Sequence, residues 1–236
     1  MLNEAENIAS VLEHLIKNSS PKNIAEIIVV DGGSVDDSQK IVTTFVTSGD
    51  FKHSKKPYKE ANISLVVSNK GRAKQMNFGA KHATGSILYF LHADSFPPKQ
   101  FDKLIIREVE KNHLAGCFRL QFNSKHWWLR LAGWLTQFSW RASRGGDQSQ
   151  FITKDLFNNI GGFDERFTIY EDNILINELY SRKQFVVIQE KIKTSARLYE
   201  KHGVWTLQYH FWAIYVKKWF GASADELYTY YKKYIS

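Results

Sequence analysis

The chain has 236 residues, of which 43% are hydrophobic and 24% charged, so it has the composition and the length of a globular domain with a substantial core. Its 32 basic and 24 acidic residues give a net charge of +8, which favours anionic partners such as nucleoside diphosphates or acidic membrane surfaces. The charge is dispersed and no recognition motif accompanies it, so we expect no nucleic-acid partner.

Cysteine content and hydropathy indicate the cellular compartment in which the protein is expected. The single cysteine, Cys117, excludes an internal disulfide and suits a reducing cytoplasm. No apolar run reaches the roughly 18 residues of a transmembrane helix, and the acidic start is unlike a signal peptide. We therefore expect a soluble cytoplasmic protein, or one held peripherally on the inner face of the membrane.

Short apolar runs alternate with amphipathic stretches in the first half of the chain. Asn3 and Glu6 have capping-box spacing before a helix. The predicted elements that follow are strand 27–30, a helix from Ser34, a lysine-rich loop 48–62, strand 63–67, helix 71–83, strand 87–91 and a helix near Pro97. This alternation predicts an α/β fold with parallel strands.

The second half is richer in aromatic residues. Phe118, Leu120 and Phe122 alternate with polar residues, which predicts a half-buried strand. Residues 127–140 and 205–234 are aromatic and amphipathic, the latter interrupted at Gly221. No repeat or flexible linker divides the chain, so we expect one domain over 1–236.

Carboxylates stand where predicted strands end. Asp31 follows strand 27–30, and Asp94 follows strand 87–91 in His92-Ala93-Asp94. The carboxyl ends of parallel strands line the crevice in which open α/β sheets bind ligands. The pair Glu171-Asp172 begins a further amphipathic stretch, with Asp172 on the same helical face as the apolar residues 175, 176 and 179.

This ordered series of motifs resembles the family 2 glycosyltransferases of the GT-A fold, and in layout it is most similar to the bacterial arsenosugar-biosynthesis-type subgroup. The matching segments are Val-Val-Asp-Gly-Gly-Ser at 29–34, Gly-Arg-Ala-Lys-Gln-Met-Asn at 71–77, Leu-His-Ala-Asp at 91–94, Gly-Asp-Gln at 146–148 and Glu-Asp at 171–172. The resemblance implies a Rossmann-like, mostly parallel sheet flanked by helices, with a helical aromatic-rich C-terminal part. The first strand of the family is missing before Met1.

The resemblance also implies a division of labour, with residues 1–115 binding the donor and residues 116–236 facing the acceptor. The donor is a nucleotide-diphosphate sugar, expected to be UDP-linked. The residues implied to contact it are Asn3, Glu4, Asp31, Gly33, Arg72, Asn77, His92, Ala93, Asp94, Asp147 and Gln148.

Several of these residues have ordinary structural alternatives. Asp31 could cap the helix that follows it, and Arg72 could belong to a solvated basic face, although a helix N-terminus also suits a diphosphate. The glycines before Asp147 could form a simple turn. Glycine replaces a second aspartate that the family often has after Asp31, which leaves the donor base open.

The resemblance assigns His92-Ala93-Asp94 to the Asp-X-Asp metal motif of the family, with His92 in the first acidic position. It implies that Asp94 binds Mg²⁺ or Mn²⁺, whose preferred ligands are oxygens. His202 is a candidate for a further ligand to metal or pyrophosphate, with Arg197 as the second choice; a surface loop is the alternative for both.

An inverting transferase needs one base to take the proton of the acceptor hydroxyl. The family assigns this role to the aspartate of the Glu171-Asp172 pair, so Asp172 is the predicted base and Glu171 its companion. The alternative is that Asp172 merely caps a helix N-terminus.

Two rival functions remain open at this point. A nucleotidyltransferase shares the sheet and the metal aspartate, but its glycine-rich loop does not match Asn3-Glu4. A non-catalytic, degenerate transferase that docks on nucleotide or membrane is favoured by His92 and the lost strand, and disfavoured by the intact Glu171-Asp172. The acceptor is an unknown sugar, lipid or small molecule, and the basic aromatic helices suit internal packing, a subunit contact or a membrane interface.

Overall fold

Alternating helices and strands build the α/β architecture that the sequence predicts. The computed structural model describes residues 1–48 and 62–235, so the predicted loop 48–62 lies outside the described residues except at its ends. The helices are α1 Ile8–Asn18, α2 Ser38–Ser48, α3 Arg72–His82, α4 Phe101–Glu110, α5 Trp127–Leu135, α6 Lys154–Ile160, α7 Glu171–Ser181, α8 Arg197–His202, α9 Val204–Trp219 and α10 Ala224–Tyr234. The strands are β1 Ile27–Asp31, β2 Ile63–Val67, β3 Ile87–Phe90, β4 Ser95–Phe96, β5 Ala115–Phe122, β6 Gln150–Thr153 and β7 Phe185–Thr194.

The strands form two sheets. β1 and β2 pair in parallel, and the other strands form a five-stranded sheet in the order β3-β6-β5-β7-β4. Within it β5 and β7 are parallel, whereas β6 runs antiparallel to both β3 and β5, and β4 antiparallel to β7. The α/β class is confirmed, and the sheet is mixed rather than mostly parallel because β6 inserts in reverse between β3 and β5.

The start of the chain lies beside the small sheet. The Met1 amino group donates to the Val30 carbonyl at 2.5 Å, and the Met1 carbonyl accepts from Gly32 N–H at 3.0 Å. Within the described residues, no strand pairing joins β1 to β3, so the two sheets are not continuous through strand pairing.

Helix α1 packs against both sheets. Its Ile8 and Leu12 pack with Val29 of the small sheet, while Val11 and Leu15 belong to the core of the large sheet. The helix begins after Asn7, so the capping box predicted for Asn3 and Glu6 is wrong: Asn3 instead has φ 53° and accepts a hydrogen bond from Val35 N–H at 2.9 Å.

The aromatic C-terminal part is helical, as predicted. Helices α9 and α10 enclose a separate core around Phe167, Leu207 and Leu227. They are divided at Gly221, and Ser223 begins α10 with a reciprocal capping box to Glu226. Among the described helices, none combines the length and the apolar character needed to cross a bilayer.

Candidate active site

The loop after β3, the 3₁₀ turn Gly146–Gln148 and the first turn of α7 meet at one point of the fold. A methyl group placed on Gly146 would lie 2.7 Å from Asp172 Oδ2 and 3.2 Å from His92 Nε2. Both side chains therefore point at the Gly146 backbone, and only glycine leaves the space between them open. The structure thus brings together the predicted base and a predicted donor contact that are far apart in sequence.

Asp172 is held in place through one of its carboxylate oxygens. Its Oδ1 accepts from Asn173 N–H at 2.8 Å and from Asn173 Nδ2 at 3.1 Å, which leaves Oδ2 as the oxygen facing Gly146. The N-cap of α7 is Tyr170, and Asp172 lies inside the first turn. Asp172 therefore does bind an N–H group in the first turn of the helix, as the capping alternative proposes, but it does so only through Oδ1.

Glu171 is almost fully buried, with 2% of its surface exposed. Burial, together with the charge of Asp172, raises its pKa to about 7, against the opposing influence of Arg72. Its Oε2 is buried without a hydrogen-bond partner among the described residues. Glu171 is thus a carboxyl group that exchanges its proton near neutral pH directly beside the predicted base.

Arg72, at the first position of α3, supplies positive charge to the same region. Desolvation would lower its pKa, but attraction to Glu171, Asp147 and Asp172 outweighs that effect and raises it. Its side chain and that of Asp147 are accessible to solvent. Desolvation by the surrounding protein nevertheless raises the pKa of Asp147, and the charge of Arg72 opposes the rise. Arg72 therefore faces a group of carboxylates and not a merely solvated surface.

His92 is neutral over the physiological pH range. Desolvation, followed by repulsion from Arg72, lowers its pKa to about 4, and the nearby carboxylates only partly oppose this. A neutral imidazole can accept a hydrogen bond or donate one, depending on its tautomer. The position that holds an acidic residue in the related metal motif is therefore uncharged here.

Asp94 is linked to two other parts of the chain by Arg197. Arg197 Nη1 donates to Glu4 Oε2 at 3.0 Å, its Nη2 bonds the other Glu4 oxygen, and Nη2 lies 3.6 Å from Asp94 Oδ2. Burial raises the pKa of Asp94, and His92 and Arg197 act in the opposite direction. The predicted residues Glu4 and Asp94 are thus brought together by a cation at the start of α8.

The residues present suit a divalent cation only in one binding mode. The described part of the chain contains no group of three His, Cys, Asp or Glu side chains arranged to hold a metal. Mg²⁺, however, commonly binds through one or two carboxylates, with the remaining ligands coming from substrate phosphates and water. Asp94 fits that mode. His202 does not share a described contact with Asp94, and its Nε2 is buried without a partner.

Asp31 is engaged entirely by its own turn. Its carboxylate accepts from the N–H groups of Gly33 and Ser34, each at 2.9 Å, from Ser34 Oγ at 2.5 Å and from Gln39 Nε2 at 2.7 Å. Burial acts against its charge, but these hydrogen bonds outweigh it and lower the pKa. The backbone donors lie in the turn before α2, and α2 contributes only the Gln39 side chain, so Asp31 stabilises the turn and does not cap the helix as the alternative had it. The nucleoside contacts of Asp31, Gly33 and Asn3 stay predictions.

Asn77 joins α3 to the loop before α7. Its Nδ2 donates to the Phe163 carbonyl and to Glu165 Oε1, both at 2.9 Å, and its Oδ1 accepts from Phe163 N–H at 2.9 Å. The whole amide is therefore used within the protein. A donor contact by Asn77 stays a prediction, as does one by Ala93, which packs against the core of the small sheet.

Arg144 shapes the loop that carries Gly146, and sequence reasoning missed it. It is 3% exposed and donates from Nη1 to Gln148 Oε1 at 2.7 Å and from Nη2 to the carbonyls of Thr136 and Phe138 at 2.6 and 2.7 Å. The predicted donor contact Gln148 is buried in this network. The adjacent Gly145-Gly146 was the only sequence signal, and it does not reveal a buried arginine.

Comparison with known proteins identifies the family. The model of the family described as glycosyl transferase family 2 matches residues 1–176. The chain belongs to glycosyltransferase family 2. The family accounts for the order of the motifs assembled around Gly146.

Among curated proteins, the glycosyltransferase AglE of Haloferax volcanii is 32% identical over 99 residues, which cover 42% of this chain and 30% of AglE. Among solved structures, S. aureus TarS 1–349 in complex with UDP has a TM-score of 0.63 at 17% identity, covering 83% of this chain and 58% of that one. The mannosyltransferase PcManGT from Pyrobaculum calidifontis, in complex with GDP-Man and Mn²⁺, also has a TM-score of 0.63, at 16% identity, covering 91% and 58%. The chain thus spans well under two thirds of each of these relatives, and the structural likeness establishes the GT-A-type fold.

Proposed function

We propose that this glycosyltransferase moves a sugar from a nucleotide-diphosphate sugar, expected to be UDP-linked, to an acceptor hydroxyl with inversion at the anomeric carbon. The observation that carries the proposal is the approach of Asp172 Oδ2 and His92 Nε2 to the bare backbone of Gly146. Asp172 Oδ2, the carboxylate oxygen without a hydrogen bond to Asn173, is the atom that would meet the acceptor hydroxyl.

Asp172 is the proposed general base. As the acceptor oxygen attacks the anomeric carbon, its proton passes to Asp172 Oδ2, the new C–O bond forms, and the bond to the diphosphate oxygen breaks. Because Oδ1 is held by two hydrogen bonds from Asn173, the free oxygen keeps a fixed direction. One base on the side opposite the leaving group is what inversion requires.

Arg72 and Asp94 are the proposed contacts for the diphosphate. Arg72 lies at the N-terminus of α3, where a cation and free N–H groups together favour phosphate. A Mg²⁺ or Mn²⁺ ion bound at Asp94 would supply charge neutralisation for the departing nucleoside diphosphate. Residues 1–115 are the proposed donor half and residues 116–236 the acceptor half.

The donor can be proposed as a chemical class, whereas the acceptor is proposed only as a hydroxyl group. TarS structures hold UDP and UDP-GlcNAc, and PcManGT holds GDP-Man, which supports a nucleotide-sugar donor but leaves two bases to compare. The resemblance to the arsenosugar-type subgroup stays a prediction about lineage. Association with the inner face of a membrane rests on another part of the molecule, the aromatic helices.

Nucleotide binding tests the donor site. We expect calorimetric titration to give micromolar binding of UDP that depends on Mn²⁺ and exceeds that of GDP, and we expect Asp94→Ala to abolish the metal-dependent part. A folded protein that binds neither nucleotide would refute the transferase site, and the non-catalytic alternative would replace it.

Asp172→Asn tests the base. We expect this variant to keep UDP affinity while losing on the order of 10² to 10⁴ in the rate of donor turnover. Asp155→Asn is the matched control, because Asp155 also lies in the first turn of a helix, α6, and is exposed. Similar losses in both variants would attribute the effect to helix electrostatics and remove Asp172 from the base role.

A further inference from the structure

All seven tryptophans of the chain fall within two short stretches, 127–140 and 205–219. Six of them are exposed, from 51% of the side chain at Trp134 and Trp212 to 84% at Trp219. Exposed tryptophan at this density is unusual for a surface that faces only water, since large exposed apolar areas mark interaction sites.

Helix α9 is apolar on two faces. Leu207 and Ile214 are buried in the C-terminal core, which already gives the helix its packing face. Trp205, Trp212 and Trp219 recur every seven residues on another face, and all three are exposed. The internal fold therefore explains only one of the two apolar faces of this helix.

Helix α5 extends this second face. Its Trp128 ring lies 5.3 Å from that of Trp205 and 6.0 Å from that of Trp212, and Trp127 lies 5.8 Å from Trp205. The two helices thus form one continuous surface, which we call the tryptophan face. Its exposed residues are Trp127, Leu131, Trp134, Trp205, Tyr209, Trp212, Val216 and Trp219.

Within the sequence stretches that form the tryptophan face, all the charged residues are basic. Residues 111–146 and 201–224 contain no Asp or Glu. Lys125, Arg130 and Lys201 are exposed beside the aromatic residues, and none of them has an ion-pair partner in the described part of the chain. In a symmetric dimer built on this face, each basic residue would approach the same set of basic residues, which opposes association.

We propose that the tryptophan face docks on an anionic lipid bilayer. Tryptophan rings lie stably at the boundary between headgroups and acyl chains, and basic residues at the same level are attracted to anionic lipids. This inference is independent of the proposed reaction.

Docking would place the candidate active site next to the lipid surface. Tyr215 belongs to α9, between Trp212 and Trp219, and its hydroxyl lies 3.5 Å from Asn173 Oδ1. Asn173 in turn holds Asp172. An acceptor hydroxyl presented from a bilayer would thus arrive on the side of α7 that carries the proposed base.

Vesicle binding by the intact protein tests the proposal. Because six of the seven tryptophans, all except Trp140, lie in α5 and α9, the intrinsic fluorescence reports mainly on the tryptophan face. We expect a blue shift and co-sedimentation with vesicles of 70% phosphatidylcholine and 30% phosphatidylglycerol, and much weaker binding to pure phosphatidylcholine. Equal binding to both compositions, or binding to neither, would overturn the proposal.

Matched variants locate the surface. Lys125→Gln with Arg130→Gln should lower partitioning to the anionic vesicles about 30-fold, at roughly fivefold for each charge. Lys81→Gln with Lys103→Gln removes the same charge from exposed positions on α3 and α4 and should leave binding unchanged. Equal losses in the two double variants would mean that only net charge matters and would refute the assignment.

Trp219→Gln provides a second test that folding cannot obscure, because Trp219 is 84% exposed. We expect it to reduce co-sedimentation several-fold with an unchanged melting temperature. A concentration-dependent dimer by light scattering, with no binding to vesicles, would assign the face to a second copy of the chain and overturn the proposal.

Discussion

Replacing Gly146 by alanine adds one methyl group at the point where Asp172 and His92 face each other. The added carbon would lie 2.7 Å from Asp172 Oδ2, and that oxygen must move by about 0.7 Å to reach the 3.4 Å of an ordinary contact. Gly146 does not have a positive φ, so the backbone itself accepts alanine without strain. The larger displacement therefore falls on the proposed base, while His92 Nε2, at 3.2 Å from the added carbon, must move by about 0.2 Å.

A displacement of about 1 Å in a catalytic group can cost about 10²-fold in rate, so we expect Gly146→Ala to lower turnover by on the order of 10²-fold. The assay is release of UDP from a UDP-sugar, with water as the acceptor when no better one is known. UDP affinity should change little, because the atoms nearest to the methyl group belong to Asp172 and His92 and not to the proposed diphosphate contacts Arg72 and Asp94.

Gly145→Ala is the control next to it in sequence. A methyl group there meets no atom within 4 Å, and the residue has an extended φ of −170°. We expect wild-type turnover from this variant. If a folded Gly146→Ala protein also turned over donor at the wild-type rate, Asp172 Oδ2 could not be the base in the position described.

The remaining predictions concern stability. Burial raises the pKa of Glu171 from 4.5 to about 7, so its ionisation destabilises the fold: the penalty is absent below pH 4.5, grows through this window, and reaches about 3 kcal/mol above pH 7. Glu171→Gln should therefore melt progressively higher than wild type between pH 4.5 and 8, and a pH-independent difference would contradict this origin. Arg144→Met should cost about 3 kcal/mol in urea unfolding, because Gln148 Oε1 and the Thr136 carbonyl lose a buried charged donor. Arg141→Met, at an exposed position of the same loop, should change stability by less than about 0.5 kcal/mol, and equal costs would refute the role of the Arg144 network.

The elements that could be predicted from sequence are those with a strong local pattern. The apolar runs that became β1, β2 and β3, and the predicted helix 71–83 that became α3, each end near the predicted residue. The interruption at Gly221 was also located, because glycine and a capping serine are local signals. The α1 start was misplaced, because the polar side chain of Asn3 was used across the chain, at Val35.

Long-range features of the site had no such signal. β6 inserts antiparallel between β3 and β5, which depends on the packing of distant strands and not on the composition of residues 150–153. Arg197 pairs with Glu4, which lies 193 positions earlier in the chain, and also approaches Asp94 after β3. Asp172 was predicted from motif order. The orientation of its carboxylate, with Oδ1 bound by Asn173 and Oδ2 facing Gly146, depends on contacts that only the folded chain forms.

The Asn77 amide has a mechanical consequence. It binds the loop at Phe163 through both its donor and its acceptor, and so fastens the helix that begins with Arg72 to the segment that leads into Asp172. If Arg72 binds the departing diphosphate and Asp172 takes the acceptor proton, as proposed, these hydrogen bonds would help to keep the two groups at a constant distance from each other while the substrates are exchanged.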